Sequence, residues 1–171
     1  IRATARLHHP NIVTAYTGLK INDDFVLAME YVTGCDLNEV VRSHGPLPIA
    51  SACEYIRQAA LGLQHAHEVG LVHRDIKPSN LMLSTDSKRP LIKILDFGLA
   101  RIRQEESQQS TSLTVAGALI GTPDYISPEQ ASNAATADIR ADIYSLGATL
   151  FYLITGRPPM RRESAWATIV S

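Results

Sequence analysis

Cysteine is scarce in this chain. Cys35 and Cys53 are the only two in 171 residues, too few and too far apart for a disulfide framework or a zinc site. They read as reduced thiols of a cytosolic protein. A basic surplus is missing too: 16 Lys and Arg face 17 Asp and Glu, for a net charge of −1, which argues against a nucleic-acid partner. The longest apolar run, Leu146 to Ile154, is too short to span a bilayer, so no membrane anchor is seen. There is no secretory leader, but the chain opens at Ile1 rather than Met, which leaves that silence uninformative. The six histidines do not cluster. His65 and His67 lie two apart on a predicted helix and face different sides, and His8 and His9 sit in a turn before Pro10. What remains is a soluble composition, 45% hydrophobic and 19% charged, with length enough for a real core.

Coarse periodicity organises the chain. Residues 1–7 read as the tail of a helix, stopped by His8-His9-Pro10-Asn11, because proline cannot continue it. Ile12–Leu19 and Phe25–Val32 are β-rich runs around the turn residues Asn22-Asp23-Asp24, which predicts a hairpin. Thr33-Gly34 breaks the second strand, and a short helix starts at Asp36-Leu37. A long helix follows Pro46-Leu47-Pro48, with Ile49, Cys53, Ile56, Ala60, Leu63 and His67 at helical spacing and Gly70 as its stop. Leu81–Leu83 and Leu91–Leu95 are short strands. Residues 103–114 are almost free of apolar side chains and read as a loop. Asp138–Thr155 is an apolar helix ended by Gly156.

Two motifs carry the chemistry. One is His73-Arg74-Asp75-Ile76-Lys77-Pro78-Ser79-Asn80 and the other is Asp96-Phe97-Gly98. Either tripeptide core alone would be weak, but both, in this order and this close, match H-R-D-x-x-x-x-N and D-F-G at every fixed position. A pair of hairpin loops that merely hold polar residues would not require that order. The chain therefore resembles the Hanks-type serine/threonine protein kinases. Asp124–Gln130 (Asp-Tyr-Ile-Ser-Pro-Glu-Gln) and Asp142–Gly147 (Asp-Ile-Tyr-Ser-Leu-Gly) resemble the bacterial members.

The resemblance implies the α+β, two-lobed kinase fold, incomplete here. Residues 1–32 would be the end of the small lobe and the hinge, 33–171 part of the large lobe, and about 96–129 the activation segment. It implies transfer of the γ-phosphate of ATP, with Mg²⁺, to serine or threonine of a protein substrate. Such transfer needs positioning and charge stabilisation rather than covalent chemistry. Asp75 would orient the attacking hydroxyl and Lys77 would set a cation near the γ-phosphate. Asn80 and Asp96 would ligate magnesium through hard oxygens, and Thr122 would bond Asp75 and Lys77. Met29 would be the gatekeeper, and backbone groups of Glu30 and Val32 would hold the adenine edge. Asp36 would reach the ribose, and Met82 would form the floor. Cys35 replaces a common glycine and puts a thiol at the pocket lip. Ser127-Pro128-Glu129 stands for A-P-E with serine in place of alanine. Asp142 would be a scaffold for the catalytic loop. Arg74 would pair with a phosphorylated residue of the loop, Thr111 or Thr114 being favoured among five hydroxyls.

The glycine-rich loop, the strand lysine and its helix glutamate are not in this sequence, and family spacing puts that glutamate immediately before Ile1. The chain is thus expected to be a piece of a longer reading frame and inactive alone. With two small-lobe strands, Ile12, Val13, Phe25 and Leu27 are expected to lack apolar partners, as is the helix around Leu146–Leu153. Two other readings stay open: a kinase-like binding module without activity, which intact Asp75, Asn80 and Asp96 argue against, and a small-molecule phosphotransferase, which would lack the Gly121–Glu129 peptide segment.

Overall fold

The computed structural model describes residues 7–22, 24–86, 88–97, 123–133 and 137–160. Strand β1 (Ala15–Ile21) pairs antiparallel with β2 (Asp24–Met29). Asn22 turns the hairpin at φ 57°, a left-handed conformation that a short polar side chain tolerates. A separate sheet has the order β3 (Gly34–Asp36), β4 (Leu81–Ser84), β5 (Leu91–Ile94), all antiparallel. The helices are α1 (Leu37–His44), α2 (Ile49–Glu68), the short α3 (Pro128–Asn133) and α4 (Ile139–Thr155). Single 3-10 turns occupy Pro78–Asn80 and Pro123–Tyr125. Two ends are set by local chemistry. Asp138 caps α4 by accepting from the Arg140 N–H, and Gly156 closes it in the left-handed region. Among the described residues no helix is long and apolar enough to cross a membrane.

The hairpin is stitched to the helical body by the segment before β1. Ile12 bridges Ile94 in parallel. The Val13 N–H donates to the Ile94 carbonyl at 2.9 Å, and the Ile94 N–H donates to the Asn11 carbonyl at 2.9 Å. A buried amide pair completes the seam. Gln58 Oε1 accepts from the Ile92 N–H at 2.8 Å, and Asn11 Nδ2 donates to the Ile92 carbonyl at 2.8 Å. These bonds satisfy an edge of β5 that would otherwise be buried without partners.

This seam accounts for several differences from the sequence reading. β1 starts at Ala15, not Ile12, because residues 11–13 leave the hairpin to pair with β5. Ile12 and Val13 are buried rather than orphaned. β2 ends at Met29, not Val32. Gly34 does not end a strand but begins β3, opposite Ser84. Its φ is +147°, and a Cβ there would lie 2.0 Å from the Leu83 carbonyl oxygen, so the close pairing of β3 on β4 needs glycine. On α2 the buried stripe is Ala52, Gln58, Ala59, Gly62, Leu63 and Ala66, whereas Ile49 and Cys53 face solvent. Small residues carry this face because the neighbouring segments approach so closely. Leu146 and Leu153 of α4 are buried, while Ile143, Phe151 and Ile154 are exposed. The expected helix tail before Leu7 lies outside the described residues, apart from Leu7 itself.

Glu30, just past β2, fastens the chain from a second side. Its Oε1 meets Lys93 Nζ of β5 at 2.6 Å, and its Oε2 accepts from the Thr14 N–H at 3.0 Å. Burial alone would raise this carboxyl, but the Lys93 and Thr14 hydrogen bonds outweigh it and hold it below the ordinary glutamate value.

Two expectations follow for the intact protein. In Gly62→Ala the new Cβ would lie 2.9 Å from Ile94 Cδ1 and 3.0 Å from the Asn11 carbonyl oxygen. Overpacking of ~1–3 kcal/mol should exceed the ~1 kcal/mol gained in helix propensity, lowering the denaturant midpoint. In Lys93→Met the lost ion pair should remove about 1 kcal/mol at neutral pH. Because Glu30 is depressed in the folded state, that contribution is present above the ordinary value of 4.5 and fades as pH falls through the lowered one. Paired melting curves from pH 7 to pH 3 should converge at the acid end; parallel curves would contradict the assignment.

Candidate active site

The loop from Leu71 to Lys77 joins α2 to the Pro78–Asn80 turn and carries His73, Arg74, Asp75 and Lys77. Asp142, in the first turn of α4 and fully buried, holds this loop. Its two carboxylate oxygens accept the N–H groups of His73 and Arg74 at 2.8 and 2.7 Å. Burial pushes the Asp142 carboxyl upward, while His73 and the two backbone donors pull it the other way. Arg74 sits at φ 67°, a conformation that is sterically unfavourable for a residue with a long side chain. Its Nη2 donates to the Ala137 carbonyl at 3.1 Å.

His73 is buried and packs edge-on against Phe97, with centroids 4.7 Å apart. Nε2 donates to the Leu95 carbonyl at 2.7 Å and Nδ1 accepts from the Asp75 N–H at 3.2 Å. That pair of roles requires the neutral ring protonated on Nε2. His73 is therefore a spacer between the Asp75 backbone and the Leu95 carbonyl, one residue before Asp96.

Asp75, Lys77 and Asn80 converge. Lys77 Nζ lies 2.8 Å from Asp75 Oδ2 and 3.2 Å from Oδ1. Asn80 Nδ2 donates to the Asp75 carbonyl at 2.7 Å and to Oδ2 at 3.1 Å. With its nitrogen so engaged, the Asn80 amide keeps its oxygen, a hard donor, out of these two contacts. The Leu95 N–H donates to the Asn80 carbonyl at 2.9 Å, which fixes Asp96, at φ 61°, one residue beyond. An amide oxygen and a carboxylate held on adjoining segments suit magnesium, which keeps other positions for phosphate and water. Among the described residues no group of three or more His, Cys, Asp and Glu side chains could hold a metal by itself.

The expected nucleotide residues lie along the other edge. Asp36 stands opposite Met82 in the β3–β4 register. One Asp36 oxygen caps α1 by accepting from the Glu39 N–H at 2.8 Å, leaving the other outward. The Glu30 N–H is taken by the Thr14 carbonyl at 2.9 Å, so only its carbonyl can face a ligand. Val32 is half-buried beyond it. A shallow, open recess is lined by Leu7, Val13, Ala15, Leu27, Met29, Asp96 and Phe97. Its lining includes Met29 and Asp96 but not Glu30, Val32, Asp36 or Met82. Burial and the charges of Glu39 and Asp36 push the Cys35 thiol upward, the direction that disfavours the nucleophilic thiolate. Thr122, Gly98, Thr111 and Thr114 lie outside the described residues.

Two participants escaped the sequence reading. Lys93 anchors Glu30, and Gln130 of α3 donates from Nε2 to the Arg74 carbonyl at 2.8 Å. Gln130 was legible only as part of Ser127-Pro128-Glu129-Gln130; its partner lies 56 residues away.

Comparison with known proteins shows the family. Residues 1–170 match the family model for the protein kinase domain. The chain is 39% identical over 164 residues to the serine/threonine-protein kinase PknB of Mycobacterium leprae, covering 94% of this chain and 25% of that protein. It is 42% identical over 159 residues to the serine/threonine-protein kinase ATG1a of Arabidopsis thaliana, covering 93% and 24%. With the serine/threonine-protein kinase pkn3 of Myxococcus xanthus it shares 37% over 166 residues, covering 96% and 30%. The chain thus spans about a quarter of the length of the relatives it matches. On motif, geometry and similarity together, this chain belongs to the protein kinase domain family, with bacterial serine/threonine kinases of the Hanks type among its relatives.

Proposed function

We propose that the intact protein transfers the γ-phosphoryl group of ATP to serine or threonine hydroxyls of proteins. The observation that carries this reading is the convergence on Asp75. Its Oδ2 takes both Lys77 and Asn80, while Oδ1 has only the longer Lys77 contact. Oδ1 is the oxygen positioned to accept the proton of an incoming hydroxyl, whose oxygen then bonds to phosphorus as the bond to ADP breaks. Lys77, held at 2.8 Å from Asp75, places its positive charge where the migrating phosphoryl group arrives. Asn80 and Asp96 would hold magnesium, whose charge when bound offsets that of the phosphates. The Glu30 carbonyl and the Val32 N–H would receive the adenine edge, Asp36 would meet the ribose with its uncapped oxygen, and Met82 would underlie the base. Thr122 would complete the set by bonding Asp75 and Lys77 beside the peptide.

Phosphorylation of the loop, at Thr111 or Thr114, would regulate this activity by pairing with Arg74, since a phosphate facing an arginine orders a segment through charge-assisted bonds. Phosphopeptide mapping after incubation with ATP should find a site within residues 107–114. Changing Ser107, Ser110, Thr111, Ser112 and Thr114 together to alanine should lower activity; unaltered activity would remove the regulatory role.

The central test separates Asp75 from Asp96. With the intact protein and labelled ATP, Asp75→Asn should reduce transfer to protein by roughly 10²–10⁴-fold and leave magnesium-nucleotide binding in place. Asp96→Asn should weaken that binding itself. Wild-type turnover in Asp75→Asn would refute the assignment, and label appearing on small alcohols or amines instead of protein would move the substrate class.

A further inference from the structure

The geometry points to Gln130 as a positioning residue for Asp75, one that ties the seating of helix α3 to the orientation of the catalytic carboxylate. The inference rests on the kinase reading above. It starts from strain. Arg74 at φ 67° holds a conformation that persists only where surrounding contacts over-determine it. Asp142 binds the N–H groups of His73 and Arg74 from below, which constrains the chain up to the Arg74 α-carbon. The next unit is the peptide plane between Arg74 and Asp75, and its tilt sets where the Asp75 side chain points. That plane has two handles. Its N–H donates to His73 Nδ1 at 3.2 Å, and its carbonyl accepts from Gln130 Nε2 at 2.8 Å. The Gln130 bond is the shorter of the two and comes from an element remote in sequence.

Gln130 is itself held. Ser127, fully buried, precedes α3, and its Oγ accepts from the Gln130 N–H at 3.3 Å. In return Gln130 Oε1 accepts from the Ser127 N–H at 3.4 Å and from its Oγ at 3.2 Å. This is the reciprocal capping box that S-x-x-E or S-x-x-Q sequences form at a helix start. For the box alone glutamate would serve as well as glutamine, since only an acceptor is needed. The amide nitrogen is surplus to the cap, and it is the atom that reaches the Arg74 carbonyl. Of the two residues the box takes at this position, only glutamine both accepts from Ser127 and donates to Arg74. The same region is tied to the Asp142 helix, because Ser145 Oγ donates to the Tyr125 carbonyl at 2.7 Å. Displacement of α3 would therefore be transmitted to the plane that aims Asp75.

Gln130→Glu is the discriminating change. It keeps the box acceptor, removes the donor to Arg74 and sets a carboxylate against a carbonyl. In the intact protein kcat should fall by about 10–100-fold, in line with the loss from a small misplacement of a catalytic group. The KM for ATP should hold, and the melting temperature should fall by less than in Ser127→Ala. Ser127→Ala, which breaks the serine side of the box and leaves the Gln130 donor, should lower kcat less and the melting temperature more. Amide hydrogen exchange supplies a readout that needs no turnover: at Asp75 it should rise about fivefold or more in Gln130→Glu, the loss of roughly one hydrogen bond, with the α3 amides unchanged. Absence of protein phosphorylation by the wild type would refute the kinase reading, and the exchange result would then decide the tie alone. Wild-type kcat and unaltered Asp75 exchange in Gln130→Glu would overturn the inference. So would a larger kcat loss in Ser127→Ala than in Gln130→Glu, which marks a cap and nothing more.

Discussion

The site depends on one buried carboxylate. Asp142 accepts two consecutive backbone N–H groups, those of His73 and Arg74, at 2.8 and 2.7 Å. A carboxylate at zero exposure is unfavourable unless its oxygens are satisfied. Here they are met by the donors of a turn that would otherwise be strained and unpaired. Each side of the contact thus requires the other. Without Asp142 the Arg74 conformation has no N–H anchor. Without the turn the first turn of α4 carries an uncompensated charge. The apolar length of α4, with Leu146 and Leu153 buried, serves to hold that carboxylate in place, so the helix governs where the loop that carries Asp75 sits.

Much of this was legible in the sequence, for a definable reason. Motifs report residues that act close together in the chain, so Asp75, Lys77 and Asn80 were read together, and Asp75 lies within 3.2 Å of both Lys77 and Asn80. Asp142 too was readable through its resemblance to a family position. Helix α2 was readable as a periodic run and α4 as an apolar one. The buried stripe of α2 was not, because Ala52, Ala59, Gly62 and Ala66 carry little hydrophobic signal and owe their place to close approach. β3 was hidden because three residues containing a glycine look like a break, and only the partner strand β4 reveals them as a strand.

The remaining omissions share a cause. Lys93 and Gln130 are single polar residues whose partners lie far away in the chain, on Glu30 and Arg74. Nothing in the residue pattern around Lys93 separates it from a solvated charge on a strand, yet its side chain is 14% exposed and ends on a carboxylate. Long-range pairing of this kind follows from the packed fold. The seam of Asn11, Gln58 and Ile92 belongs to the same class. The expectation of orphaned Ile12 and Val13 failed because it counted only the hairpin as their partner, whereas the seam carries them into the helical body.

Two amide side chains show how the site does more than one task with one group. Asn80 engages its nitrogen with the Asp75 carbonyl and carboxylate and so turns its oxygen outward. Gln130 engages its oxygen with Ser127 and turns its nitrogen to Arg74. A carboxylate could supply neither combination at neutral pH, since it has no donor. At Asn80 it would also repel Asp75 Oδ2 at 3.1 Å and push one of the two toward protonation. An amide avoids that conflict. It adds no second negative charge beside Asp75 Oδ2 and carries donor and neutral acceptor on a single planar group.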